Sequence, residues 1–164
     1  MANWDDVQFA GSARATGNTP AALAEVNGSG IYQYRFTNGK ELHFRGQLPH
    51  TYHQYSPLLP HVHWMAESSA TYAGTWTLEY LWTQAGPGIP LSTKQTLTGT
   101  FNGAVTAWES QVTNLGAMAH DFKISALILC RLVLTLTSGS GVFLLDFDAH
   151  HENDALGSVL EFIK

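Results

Sequence analysis

The sequence predicts an all-β fold, a jelly-roll-like antiparallel β-sandwich of about eight strands. Three observations lead to this class. Apolar and polar residues alternate with a period of two in several short segments, Gly, Pro and Asn separate these segments, and no window holds a convincing helical period. The 164 residues suit a single sandwich domain over residues 1–164, in which residues 1–30 are expected to include an extended N-terminal arm.

The first predicted strands flank the dipeptide Asn38-Gly39. Residues 10–29 are rich in Ala, Gly, Ser, Thr and Asn, which favours a loop or an extended arm. Alternation then runs through Ile31 to Phe36 and again through Glu41 to Arg45. Because Asn-Gly is a preferred centre for a type I′ turn, in which both central residues need positive φ, we predict that these two strands form a β-hairpin.

Three further strands are predicted in the middle of the chain. They are His61 to Ala66, Thr75 to Gln84, and Lys94 to Phe101, the last of which is ended by Asn102-Gly103. The segment Ala85 to Pro90 is a predicted loop because of its Gly and Pro content. Some helical spacing is present from Trp108 to His120, but Gly116 weakens it and no helix is predicted there.

Two more strand signals follow. Ile124 to Thr137 is apolar on both faces apart from Arg131, which is typical of a central or interface strand that is covered on both sides. After a predicted turn at Ser138 to Gly141, alternation resumes from Val142 to His150. The inward residues of this strand are expected to be Phe143, Leu145 and Phe147.

Composition narrows the function. The net charge is −5 and no cluster of Lys or Arg exists, so nucleic-acid binding is disfavoured because phosphate contacts need local positive charge. Only 13% of the residues are charged, which favours a surface partly covered by another subunit. No signal peptide or membrane span is recognised, so synthesis in a cytoplasm is expected. The single cysteine, Cys130, lies in an apolar run and is expected to be a buried structural thiol.

Two short motifs carry residues that are able to bind a metal ion. His61-Val62-His63 places two imidazoles on one face of a strand, because side chains alternate. Asp146, Asp148 and His150 share one face of the last strand in the same way. If the two strands are neighbours, these five side chains form a cluster of mixed N and O ligands that would suit Zn²⁺, Fe²⁺ or Mn²⁺.

One of these motifs also has the spacing of a known family. The sequence His61-x-His63-x-x-x-Glu67, followed by Gly74, resembles the first motif of the cupins, which are jelly-roll proteins and in many cases metal-dependent enzymes. The resemblance implies that His61, His63 and Glu67 bind a metal. Tyr55 stands where the motif has an earlier Gly, and the second cupin motif is absent.

The alternative interpretation is structural. The same His and Asp side chains can form a polar network that fixes strand register or a contact between subunits. We favour it and assign no catalytic, cofactor-binding or metal-binding residue, and we expect no bound cofactor. The residues that remain candidates for a metal are His61, His63, Glu67, Asp146, Asp148 and His150. The Trp and Tyr residues mostly fall on inward strand positions, which favours core packing over a sugar-binding surface.

A longer resemblance covers most of the chain. Its segments are Trp4-Asp5-Asp6, Gln47-Leu48-Pro49-His50, Leu59 to Trp64, Trp76 to Tyr80, Cys130-Arg131-Leu132, Leu144 to His150, Leu156-Gly157-Ser158 and the final Lys164. In order and spacing they are similar to a family of small proteins encoded among the virion structural genes of tailed bacteriophages and prophages.

This resemblance implies a non-enzymatic virion protein that is assembled in the host cytoplasm. The preferred member is a jelly-roll capsid decoration (cement) protein, a homotrimer whose partner is the major capsid protein or another virion protein. In that case the strand around Ile128 to Leu134 would lie at the three-fold interface, and the N-terminal arm would become ordered on a neighbouring subunit. A neck, tail or fibre adaptor and a cupin-like metal-binding enzyme are the alternatives.

Overall fold

The computed structural model describes residues 3–12, 19–84, 89–118 and 122–153. The described residues form eleven β-strands and no helix, and so include no helix long and apolar enough to cross a membrane. The strands are β1 (Asn3–Gln8), β2 (Ala10–Ser12), β3 (Ala22–Glu25), β4 (Tyr32–Phe36), β5 (Glu41–Gln47), β6 (Leu59–Ala66), β7 (Ala70–Thr83), β8 (Gln95–Val105), β9 (Ser110–Asn114), β10 (Leu127–Ser138) and β11 (Val142–Asn153).

The strands form two antiparallel sheets. Sheet A has the order β3-β4-β11-β6-β9, with β1 also paired to β11, and sheet B has the order β2-β5-β10-β7-β8. The eight strands from β4 onward are arranged as β4-β11-β6-β9 in sheet A and β5-β10-β7-β8 in sheet B. This is the strand order of an eight-stranded jelly roll. The predicted fold class is therefore confirmed. The count rises to eleven because β1, β2 and β3 add to the two sheets.

The predicted hairpin at Asn38-Gly39 is wrong, although both of its strands exist. β4 belongs to sheet A and β5 to sheet B, so the two strands do not pair. The Lys40 N–H donates to the Thr37 carbonyl, and positive φ occurs at Gly39 but not at Asn38. A turn of this kind does not have the twist of a type I′ hairpin. It leads the chain round the edge of the sandwich, where Asn38 Oδ1 accepts a hydrogen bond from the Leu136 N–H.

Two segments expected to be irregular are strands instead. Within residues 10–29, β2 pairs with β5 and β3 pairs with β4, so the described parts of the expected arm extend this chain's own sheets. Residues 13–18 lie outside the described residues. Asn102 and Gly103 do not end β8, because they pair with Ala73 and Tyr72 of β7. In both cases pairing to a neighbouring strand outweighs local turn propensity.

The last strand departs from strict alternation at Leu145. Its register with β6 shifts between Leu144 and Asp146, which is a β-bulge, and the inward phase changes there. Phe147 faces the core as predicted, whereas Leu145 is 37% exposed. Before the bulge, Leu144 rather than Phe143 belongs to the core cluster.

The core lies between the sheets and is rich in aromatic side chains. Trp64 and Trp76 are almost fully buried, and the Trp76 ring meets Phe36 edge-on at 5.1 Å between centroids. Cys130 is buried as predicted, and burial raises the pKa of its thiol. β10 is a central strand of sheet B, between β5 and β7, but its outward face is not fully covered within this chain.

Candidate functional site

The two motifs that the sequence singled out lie on neighbouring strands. β6 and β11 are paired in sheet A, with His61 opposite Asp148 and His63 opposite Asp146. Residues opposite each other in an antiparallel pair share a face, so these four side chains share the outer face of sheet A with His150. The two strands that carry the motifs are therefore neighbours, as the predicted cluster required.

Three of these side chains converge on one point, and we call them the His/Asp cluster: His61, His63 and Asp148. Asp148 Oδ1 lies 2.7 Å from His61 Nε2 and 3.7 Å from His63 Nε2. One potential ligand atom from each residue lies within 4.8 Å of the others. His61 and Asp148 are each only 5% exposed, while His63 is half-buried at the rim.

One oxygen of the Asp148 carboxylate in this cluster lacks a hydrogen bond. Asp148 Oδ1 is buried and receives no aligned hydrogen bond, although His61 Nε2 is close to it. Burial raises the pKa of the Asp148 carboxyl, and the imidazoles of His61 and His63 act in the opposite direction. Among the described residues, no Lys or Arg forms a salt bridge with Asp148. A buried carboxylate without a permanent cation is uncommon and needs an explanation.

The two other predicted members of the cluster have partners of their own. The His150 ring packs against the His61 ring at a tilt of 56°, with 4.4 Å between ring centroids, and His150 Nε2 lies 3.2 Å from Asp6 Oδ1 of β1. Asp146 Oδ1 accepts a hydrogen bond of 2.8 Å from the Phe147 N–H beside the bulge. These residues border the His/Asp cluster without contributing to its central ligand set.

Glu67, the remaining candidate, does not reach the cluster. It is held by Arg35, whose Nε and Nη2 donate to its two carboxylate oxygens at 2.6 and 2.8 Å. Four residues of extended chain span about 13 Å, so Glu67 is far along the chain from His63. The ligand set that the cupin resemblance implies is therefore not assembled, and Asp148 takes the place that Glu67 would have had.

A second polar feature occupies the outer face of sheet B and was missed from the sequence. Arg131 donates from Nε to Glu41 Oε2 at 2.6 Å and from Nη1 to Glu79 Oε2 at 2.7 Å, and Lys94 Nζ donates to Glu79 Oε1 at 2.6 Å. Arg131, Glu79 and Lys94 line a cleft of about 860 Å³ together with Leu129. The available signal was that Glu41, Glu79 and Arg131 all occupy outward positions of their strands.

Comparisons with known proteins add little to this geometry. No protein-family model matches the sequence, and no curated protein matches it either. One solved structure with a similar chain path is the N-terminal part of the Clostridium thermocellum endo-1,4-β-D-xylanase 10B, comprising CBM22-1 and GH10 modules complexed with xylohexaose. The TM-score is 0.40 at 12% identity, over 96% of this chain and 27% of that one. A likeness this distant supports no inference about function.

Proposed function

We propose that the chain is a non-enzymatic structural protein of a tailed-phage virion, a capsid decoration protein that self-associates as a homotrimer on the head surface. The observation that carries the proposal is the outward face of β10. Leu127 and Leu129 of this strand are 44% and 45% exposed on the outer face of sheet B. Leu129 lies opposite the half-buried Leu81 of β7, so the apolar area continues across two strands.

Exposed leucines on a regular sheet favour burial against another protein surface. Covering the exposed half of each side chain would contribute about 1 kcal/mol. A three-fold interface would repeat this gain in every subunit, and closed cyclic symmetry is the common arrangement for copies of one chain. We therefore expect further copies of this chain to cover the outward face of β10.

The charges on this face also suit an interface. Arg131, Glu41, Glu79 and Lys94 neutralise one another within the chain, so a partner need not supply counterions. Pairing before association lowers the cost of removing charges from water. Only 13% of the residues are charged, and this low share agrees with a protein that makes large subunit contacts.

The first experiment measures the oligomeric state. Light scattering after size exclusion should give about three times the 17.9 kDa chain mass at micromolar concentration. Leu129→Asp should give a monomer, because it places a charge in the interface. Leu145→Asp is the matched control: Leu145 is similarly exposed but lies on sheet A, and the variant should remain trimeric. A monomeric wild-type chain would overturn the proposal.

A second experiment separates the head from the neck and tail. Antibody against the chain, imaged on virions of the phage that encodes it, should label the head surface at many regularly spaced positions. Label confined to the neck, tail or fibre attachment point would favour the adaptor role. Both results would keep the chain in the virion, whereas virions without label would remove it from the particle.

A further inference from the structure

We infer that the His/Asp cluster on sheet A binds a divalent transition-metal ion through His61 Nε2, His63 Nε2 and Asp148 Oδ1. All three ligands come from one chain, two from β6 and one from β11. The inference is therefore independent of the proposed trimer and of the virion. Three protein ligands leave at least one coordination position for water or another donor.

The spacing of the donor atoms suits a small cation. With metal–nitrogen and metal–oxygen bonds of about 2.0–2.2 Å, the ligand atoms of a tetrahedral site lie about 3.3–3.6 Å apart. The two distances to Asp148 Oδ1, 2.7 and 3.7 Å, lie on either side of this range, and one ligand atom from each residue lies within 4.8 Å of the others. Coordination of one ion by all three residues therefore requires the two imidazoles to shift relative to Asp148.

The surroundings of His61 favour the tautomer that binds a metal. Its Nδ1 lies 3.3 Å from the carbonyl oxygen of Leu59, which can accept a hydrogen bond from an N–H at that position. Nε2, which lies 2.7 Å from Asp148 Oδ1, then carries a lone pair that is able to bind a cation. Metal-binding histidines usually have their second nitrogen oriented in this way, and the contact raises the basicity of the ligand.

The buried oxygen of Asp148 is the second, independent observation. It has no hydrogen bond, and its residue is more than nine-tenths buried. The acidic groups Asp6 and Asp146 are also nearby, and no described Lys or Arg pairs with Asp148. His61 and His63 offer two imidazole nitrogens beside the carboxylate oxygen, and a bound cation would join these three donor atoms.

The donor set selects the class of ion. Two imidazole nitrogens and one carboxylate oxygen suit Zn²⁺, Fe²⁺ or Mn²⁺, whereas Ca²⁺ and Mg²⁺ prefer oxygen ligands alone. Because the ligands join β6 to β11, binding cross-links two adjacent strands of sheet A. Metal addition should therefore raise the melting temperature of the chain.

The test uses the full chain, purified without a His tag, stripped with chelator and desalted. Titration with ZnCl₂, followed by desalting and elemental mass spectrometry, should give about one Zn²⁺ per chain and a higher melting temperature. His63→Ala and Asp148→Asn should each weaken Zn²⁺ binding by at least about 10-fold, the loss caused even by outer-shell changes. Asp148→Asn keeps the side-chain shape, so circular dichroism should show that this variant is folded.

His50→Ala is the matched control, because His50 is exposed and outside the cluster. It should bind Zn²⁺ like the wild type and show the same rise in melting temperature. The inference is overturned if the wild type retains no Zn²⁺, if His63→Ala and Asp148→Asn bind it as the wild type does, or if about one ion is held per three chains. The last result would place the ion between subunits rather than within the cluster.

Discussion

Each outer face of the sandwich holds a buried carboxylate, and the two carboxylates are paired with different kinds of side chain. On sheet B, Glu41 is buried but bound by the guanidinium of Arg131, which also holds Glu79. On sheet A, Asp148 is also buried, but among the described residues its salt-bridge partners are the imidazoles of His61 and His63, and one of its oxygens has no hydrogen bond. The negative charge of a carboxylate paired with Arg is neutralised by a residue of the same chain. A carboxylate among imidazoles depends on a proton or a metal ion.

The largest effect is expected from breaking the sheet B network. Arg131→Met removes the guanidinium from the buried carboxylate of Glu41 and should lower the free energy of unfolding by about 2–3 kcal/mol. Urea unfolding measures this change. Lys94→Met is the control: it removes an exposed cation from the same network and should cost less than about 1 kcal/mol. Equal losses in the two variants would contradict the special role of Arg131.

A smaller effect of the opposite sign is expected on sheet A. In the presence of chelator, Asp148→Asn should leave the free energy of unfolding unchanged or raise it by up to about 1 kcal/mol, because a buried charge with one oxygen lacking a hydrogen bond is removed. Glu41→Gln should lower it by about 1–2 kcal/mol, because a charge-assisted pair is lost. Similar losses in both variants would remove the contrast between the two faces.

The smallest effect concerns acid stability. Hydrogen bonds from Arg35 lower the pKa of Glu67 below its ordinary value of 4.5. A carboxyl whose pKa is lower in the folded state stabilises the fold above the ordinary value, and this contribution is lost as pH falls through the lowered pKa. Arg35→Gln should therefore be less stable than the wild type at neutral pH, with the difference shrinking toward pH 3. Urea midpoints across this range measure it, and a constant difference would contradict the assignment.

Much of the secondary structure followed from the sequence because strand alternation is a local property. β6, β7 and the beginning of β11 lie close to where the period-two pattern places them. The hairpin failed for a different reason. Asn38-Gly39 marks a turn correctly, but β4 and β5 enter different sheets. Phe36 of β4 and Leu42 of β5 then meet in the core between the sheets. The bulge at Leu145 is likewise set by pairing with β6.

The all-β class follows from the two-residue repeat of a strand, which is a local property of the chain. The same repeat places His61 and His63 on one face of a strand, and Asp146, Asp148 and His150 on one face of another. Three features depend instead on how the strands assemble: β6 lies beside β11, Arg35 binds Glu67, and no described Lys or Arg binds Asp148. These contacts join residues far apart in the chain. They depend on the strand order that buries the core of both sheets, and no local pattern encodes that order.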